Sequence, residues 1–348
     1  MKRILSIQSH VVSGYVGNKA ATFPLQTLGY DVDAINTVQF SNHTGYNTWQ
    51  GDRTPPTTVL NLFQGLQANG LVNYSHLLTG YMGNAESIEA VETILRQLRQ
   101  INPSTFYGDN GHLYVSEEMI PLYKQRLLPY ANLITPNQFE LELLTEMPAR
   151  TQAGVLAAMD KLHTLGVNAI VVTSAELDDL RPASASSVPF LYLYGSQRLP
   201  DTSIAVTSTN SGPITLSAAP QYERFRIGFP RLDGYFTGTG DLCCALLLAH
   251  FAASTKESLA GTASMNLDQP FAAPLPGVLP RACEQTMATM AAVMERTLAA
   301  QRHAGIVYEP NLPRSERPSE LVRHCELQLI QSKADIEHPV IKYRAERL

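Results

Sequence analysis

Apolar positions along this chain fall into short blocks whose spacing switches between two periods. Ile4-Leu5-Ser6-Ile7-Gln8-Ser9 reads as a β-strand, 32–38 as a second, and 19–28 between them as helix, which makes a βαβ opening. Pro24 lies inside that helical stretch and is expected to kink it or confine helix to one side. The alternation continues with a helix over 57–69, a strand end at 76–79, and an amphipathic helix over 85–100 that carries Ile88, Val91, Leu95 and Leu98 on one face. Residues 105–107 predict a very short strand and 133–135 the end of another. Residues 137–145 and 152–165 then read as helices, and 169–173 as a buried strand. Strands separated by helices imply an α/β fold, with a doubly wound, mostly parallel central sheet flanked by helices.

The second half departs from that rhythm. Between 178 and 220 the composition shifts to Ser, Thr, Pro and Ala, interrupted by the alternating segments 190–194 and 204–206, which predict a few antiparallel strands with loose connections. Residues 222–229 read as one more strand and 242–251 as an apolar helix. Residues 254–280 are rich in Ala, Pro, Gly and Ser and are expected to form a flexible loop. Residues 282–299 predict a long helix whose stripe of Met287, Met290, Met294 and Leu298 is expected in the core. The segment from 315 onward carries Leu321, Leu327, Leu329 and Ile330, enough apolar residues to dock on the body, so residues 1–348 are expected to form a single domain.

Composition narrows the class. The chain has 348 residues, 44% of them apolar, and a formal net charge of -5, with no long basic run, which argues against a nucleic-acid or anionic-membrane partner. No apolar run approaches the roughly 20 residues that span a bilayer. Met1-Lys2-Arg3 leads straight into a strand-like segment, so a cytoplasmic protein is expected. Cys243, Cys244, Cys283 and Cys325 form no Cys-x-x-Cys pair and are expected to be reduced core thiols.

Candidate chemistry concentrates at Gly238-Thr239-Gly240-Asp241. Two glycines let the backbone turn tightly, and the following helix would aim its free N–H groups and positive dipole end at the turn. An anion held on N–H groups beside a carboxyl group suits phosphoryl transfer, with Asp241 able to accept a hydroxyl proton; a plain glycine turn with a capping Asp fits the same residues. In an open parallel sheet, ligand residues gather after the strands. There the chain places Ser9 and His10, Phe40 to Tyr46, Thr79-Gly80-Tyr81, Gly108-Asp109, Thr135 to Glu140, and Thr173-Ser174. Asn137 with Glu140 equally fits a helix capping box, and the histidines equally fit buried packing roles.

Taken together, Leu5 to Val11, Gly14 to Asn18, Val38 to Tyr46, Leu78 to Tyr81, Ile134 to Glu140, Gly195 to Arg198, Gly238 to Leu242 and Gln331 to Glu337 closely resemble the pyridoxal kinase family of the ribokinase-like superfamily. The resemblance implies transfer of the ATP γ-phosphoryl group to the 5′-hydroxymethyl group of pyridoxal, pyridoxine and pyridoxamine. It implies Asp241 as the base and Gly238, Thr239 and Gly240 as the anion hole. Ser9, Thr44 and Tyr81 would contact the pyridine ring, with Val16, Phe40 and His43 packed around it. Asp109, Thr135, Asn137, Glu140, Thr173, Ser174 and Thr239 would serve ATP, with Asp109 and Glu140 on the Mg²⁺ side and Thr173 on a monovalent cation. Mg²⁺, K⁺ and a homodimer also follow from the family.

One segment departs from the pattern. The family carries an Asp-Pro-Val-Leu/Met-Gly-Asp type sequence after its fourth strand, whereas Thr105-Phe106-Tyr107 runs directly into Gly108-Asp109 here. Asp109 aligns with the second acid, and the strand end with the first acid is missing. A shifted register, or a following loop drawn toward the nucleotide site, is the expected consequence. Two further readings accompany the resemblance: a related kinase for another hydroxymethyl heterocycle or a sugar, and a B6-binding relative without turnover.

Overall fold

The computed structural model describes residues 2–109, 118–180, 189–199, 221–260, 277–307, 312–313 and 316–348. One twisted sheet organises them. Its strands are β1 (Arg3–Val11), β2 (Asp31–Phe40), β3 (Gly51–Arg53), β4 (His76–Thr79), β5 (Phe106–Asp109), β6 (Leu133–Ile134), β7 (Ala169–Ala175), β8 (Phe190–Arg198), β9 (Tyr222–Pro230) and β10 (Glu346–Arg347). The order across the sheet is β10-β9-β8-β7-β6-β5-β4-β1-β2-β3. The six central strands from β7 to β2 run parallel, while β3 at one edge and β8, β9 and β10 at the other pair antiparallel. The doubly wound sheet and the added antiparallel strands are therefore as the periodicity predicts.

The helices are α1 (Asn18–Thr27), α2 (Pro56–Ala68), α3 (Ala85–Ile101), α4 (Met119–Leu122), α5 (Gln138–Thr145), α6 (Gln152–Thr164), α7 (Thr239–Ala260), α8 (Val278–His303), α9 (Ser319–His324) and α10 (Lys333–Glu337). Strand side chains alternate faces, so each central strand contributes to two cores. Leu5, Ile7, Leu77, Tyr107, Ile134, Ile170 and Val172 pack with Phe63 of α2, Leu95 of α3, Leu141 of α5 and Leu162 of α6. Their sequence neighbours face the other way: Ile4 and Leu78 meet α1 and α7, while Leu133 and Val171 meet α7 and α8. α7 is thus buried almost all round, which explains its unbroken apolar run over 242–249.

The tail docks on the α1, α7 and α8 side. Leu327, Leu329 and Ile336 are buried among Ala20, Leu242, Leu246 and Val293, each fully buried Leu contributing about 1.5–3 kcal/mol relative to exposure. Leu321 is also buried, but Ile330, expected with them, lies 49% exposed. The stripe of Met287, Met290 and Leu298 is buried, with Met294 packed against it. All four cysteines are buried and none is in a disulfide, and burial pushes the Cys243 thiol up to about 12.

Several local expectations change. Pro24 does not interrupt α1, which runs on to Thr27; the carbonyl that loses its in-helix donor is that of Ala20, in the first turn of the helix. Residues 254–260 prolong α7 and 278–280 open α8, so the expected loop is shortened at both ends; 261–276 lie outside the described residues. The alternating segment 204–206 lies outside them too. The register at β5 does not slip. Phe106, Tyr107, Gly108 and Asp109 stand opposite His76, Leu77, Leu78 and Thr79, and Gly108 and Asp109 also pair with Leu133 and Ile134. Gly108 and Asp109 are themselves recruited as the strand's end, at the cost of a strand-interior glycine. A Cβ at Gly108 would come within 3.4 Å of Leu248 in α7, so that point of the sheet is in close packing.

Candidate active site

The strand order reverses between β1 and β4, and the crevice outside the carboxyl ends of these strands is where an open α/β sheet takes ligands. Two irregularities in the ladders fall on predicted site residues. The β1–β2 register slips between Gln8 and His10, at Ser9, and the β7–β8 register slips between Val172 and Ala175, across Thr173 and Ser174. Bulges of this kind re-aim side chains beside active sites.

The glycine turn is forced by close backbone approach. Gly238 has φ 84°, and a Cβ there would fall 2.0 Å from the carbonyl oxygen of Tyr15. Gly17 has φ 53°, and a Cβ there would fall 2.1 Å from the Ser9 carbonyl oxygen. Two glycine loops, after β1 and before α7, are therefore stacked in a layer that admits no side chain. The first helical hydrogen bond of α7 runs from Leu242 N–H to Gly238 C=O at 3.1 Å, so the amides of Thr239 and Gly240 precede the helical ladder and lie at its positive end. Asp241 is 8% exposed, and its Oδ2 accepts a hydrogen bond from Gly17 N–H at 2.8 Å. The base candidate is thus oriented by the loop that follows β1.

The residues expected to hold the acceptor lie on or just after β1, β2 and β4. Val16 packs against Val11, Val38 and Phe40, forming an apolar wall. His43 is buried; its Nδ1 accepts from Gly45 N–H at 3.0 Å, which leaves the ring proton on Nε2 in the neutral form, and its ring lies 4.9 Å from that of Tyr46. Burial first, and the Glu326 charge second, push the Tyr46 phenol up to about 12. Thr44 is exposed on the same loop. Tyr81 is half-buried after β4, with its phenol oxygen 3.4 Å from an Arg53 Nη1 donor. Burial first, and the Lys19 charge second, lower the His10 pKa.

The residues expected to serve ATP end the next three strands. Asp109 closes β5, and Thr135 is buried just beyond β6. Asn137 and Glu140 do form a capping box on α5: Glu140 N–H donates to Asn137 Oδ1 at 3.0 Å and Asn137 N–H to Glu140 Oε2 at 2.8 Å. The structural role left open by the sequence is therefore real. Thr173 N–H donates to Pro136 C=O at 2.9 Å, which ties the β7 bulge to the turn before α5. Among the described residues no three His, Cys, Asp or Glu side chains gather as a metal cage.

Two participants escaped the sequence reading. Gly17 was legible only as part of a matching segment, and its N–H bond to Asp241 spans 224 positions. Glu326 is not among the sequence candidates, although an acid between Cys325 and Leu327 in a docking stretch is a sequence sign of a buried, partnered charge.

Phosphoryl transfer to a small hydroxyl acceptor is the chemistry this edge of the sheet can carry, on the topology of a ribokinase-like kinase. The comparisons agree. A family model described as phosphomethylpyrimidine kinase matches residues 26–219. The chain is 37% identical to the pyridoxal kinase of Homo sapiens over 99% of its length and 97% of that protein, and 36% identical to that of Arabidopsis thaliana, with 99% and 94% covered. A solved structure of pyridoxal kinase from Leishmania donovani in complex with ADP and pyridoxamine superposes with a TM-score of 0.74 at 28% identity, covering 100% of both chains. The chain belongs to the pyridoxal kinase family. It is a kinase, and its reaction is ATP-dependent phosphorylation of B6 vitamers.

Proposed function

We propose that Asp241 is the general base of this reaction and that the 5′-hydroxymethyl group of pyridoxal, pyridoxine or pyridoxamine is its substrate. The acceptor hydroxyl gives its proton to Asp241, its oxygen bonds to the γ-phosphorus, and the bond to the β–γ bridging oxygen breaks as ADP leaves. The amides of Gly238, Thr239 and Gly240 at the start of α7 take the negative charge of the transferring group. Ser9, Thr44 and Tyr81 hold the pyridine ring, with Val16, Phe40 and His43 around it. Asp109, Thr135, Asn137, Glu140, Thr173 and Ser174 hold the nucleotide at the ends of β5, β6 and β7. Asp109 and Glu140 face a hydrated Mg²⁺, which neutralises phosphate charge when bound, and oxygen atoms at Thr173 suit K⁺. We read residues 1–348 as one kinase domain that works as a cytoplasmic homodimer; no helix among the described residues is long and apolar enough to cross a membrane.

The observation that carries this reading is the Gly17 N–H bond to Asp241 Oδ2, because it holds a carboxyl group at the mouth of a helix N-terminus with the apolar acceptor wall alongside. The test is formation of pyridoxal phosphate from ATP, Mg²⁺ and pyridoxal in the presence of K⁺, with Asp241→Asn alongside. The variant is expected to lose about 10²- to 10⁴-fold in kcat while still binding pyridoxal; unchanged turnover would remove Asp241 from the role. The shortened β5 favours a second reading, a B6-binding relative with little turnover, for which tight pyridoxal binding without product is the signature. Hydroxymethylpyrimidine and ribose as alternative acceptors test the remaining kinase reading.

A further inference from the structure

The buried carboxyl group of Glu326 takes no part in the chemistry described so far, yet it touches the loops that follow both β1 and β2. Its Oε2 accepts from Tyr15 N–H at 2.8 Å. Its Oε1 stands 3.0 Å from His43 Nε2, too oblique to the ring N–H for a well-formed hydrogen bond. Neither of these two atoms has a well-formed hydrogen-bond partner, and the Tyr46 phenol also faces the carboxyl group. Both side chains are about nine-tenths buried, with relative exposures of 8% for His43 and 10% for Glu326. The backbone around Glu326 is tied as well: Thr237 N–H donates to Cys325 C=O at 3.0 Å, and Thr237 bridges to Glu326 in the parallel sense. A Cβ on Gly14 would meet Glu326 Oε1 at 2.3 Å, so the loop after β1 is shaped around this carboxyl group.

These contacts lead to the base. Tyr15, held at its N–H by Glu326, places its carbonyl over Gly238, where a Cβ would come within 2.0 Å. Two residues further on, Gly17 N–H donates to Asp241. Glu326 therefore sits at one end of a relay whose other end is Asp241, and its second oxygen faces the imidazole that packs on the acceptor pocket. We propose that Glu326 is a positioning residue for phosphoryl transfer: one carboxyl group sets both the His43 ring against the acceptor and the Gly14–Gly17 loop that orients Asp241. A buried charge is costly unless partnered, and the groups facing this one are the His43 imidazole, the Tyr46 phenol and the Tyr15 amide. The same segment reaches over this edge elsewhere, since Asn47 Nδ2 donates to Arg317 C=O and the Arg317 guanidinium stacks on Tyr235 just before the glycine turn.

The inference rests on the kinase reading above, and its test separates the two. Glu326→Ala, Glu326→Gln and Asp241→Asn are assayed on the full chain, with kcat calculated per folded molecule and KM measured separately for pyridoxal and MgATP. Glu326→Ala loses both contacts and is expected to lower kcat and raise the pyridoxal KM, each by about tenfold to a hundredfold, because small misplacements of reacting groups carry penalties of that size. The MgATP KM stays within about twofold, since the donor residues lie on other strands. Glu326→Gln keeps an oxygen for Tyr15 N–H and sets an amide N–H₂ against His43, so it recovers kcat more than it recovers the pyridoxal KM. Combined with His43→Ala, the effect of Glu326→Ala on the pyridoxal KM is expected to shrink. Glu326 variants with wild-type kcat and pyridoxal KM per folded molecule, or with all three parameters moved alike, overturn the positioning role. Full activity of Asp241→Asn removes Asp241 from the base role, whereas absence of ATP-dependent pyridoxal phosphate formation by the wild-type chain overturns the kinase reading itself.

Discussion

The two halves of the candidate site are built by different means. The acceptor half, at the ends of β1, β2 and β4, is knitted by long-range hydrogen bonds: Gly17 to Asp241, Tyr15 to Glu326, Asn18 Nδ2 to the Ile35 carbonyl at 3.0 Å. The donor half, at the ends of β5, β6 and β7, is made from local devices: a four-residue strand, a capping box and a bulge. A half that must hold a neutral ring and aim one hydroxyl needs rigidity supplied by the protein. A half that receives a polyanion with its own metal can leave part of the organisation to the ligand. The contrast predicts that substitutions in the acceptor half damage catalysis without touching nucleotide affinity, and that those in the donor half do the reverse.

The largest effect is expected at Gly238→Ala. The new methyl group would lie 2.0 Å from the Tyr15 carbonyl in a backbone conformation with φ 84°, so the turn must move. Displacing amides that face the developing charge is expected to lower kcat by roughly 10²- to 10³-fold, the scale of losing one oxyanion donor. Initial rates at saturating pyridoxal and ATP check it. A rise confined to the MgATP KM would mean that the layer serves the nucleotide and that the division drawn here is wrong.

Next is Asp109→Asn, which bears on the donor half alone. By register Asp109 ends β5 opposite Thr79 and Ile134. If it is the acid that faces hydrated Mg²⁺, its loss is expected to raise the Mg²⁺ concentration needed for half-maximal rate by about 10- to 100-fold, with the pyridoxal KM unchanged. Inserting Asp-Pro-Val-Leu between Tyr107 and Gly108 sharpens the same point in the other direction. The lengthened segment restores two acids, and the Mg²⁺ requirement is expected to fall by up to about tenfold. A longer β5 that leaves the Mg²⁺ titration unmoved would show that the short strand already does the full task.

This contrast also explains what was legible in the sequence. The sheet was readable because buried parallel strands such as 169–173 are apolar on both faces and the helices between them carry a 3.6-residue stripe. The glycine turn and the strand-end residues were readable because both are local. β5 was only half readable: three strand formers sit before Gly108, and nothing in Gly108-Asp109 favours a strand, yet pairing with β4 and β6 on both sides recruits them, since context outweighs β-propensity. Glu326 and Gly17 were not readable as site members, because their partners lie 311 and 224 positions away and no local period encodes that distance.

The smallest effect separates scaffold from chemistry in the donor half. Asn137 caps α5 through Glu140 N–H, and Glu140 returns the bond to Asn137 N–H. Asn137→Ala removes one half of that box and is expected to lower the stability of the folded chain by about 1 kcal/mol, read as a lower denaturation midpoint in urea with an unchanged slope. If capping is its main task, kcat for pyridoxal stays near wild type and the MgATP KM rises by no more than severalfold. A wild-type denaturation midpoint with a large rise in the MgATP KM would instead mean that Asn137 spends its side chain on the nucleotide, and the donor half would then be organised by direct contact like the acceptor half.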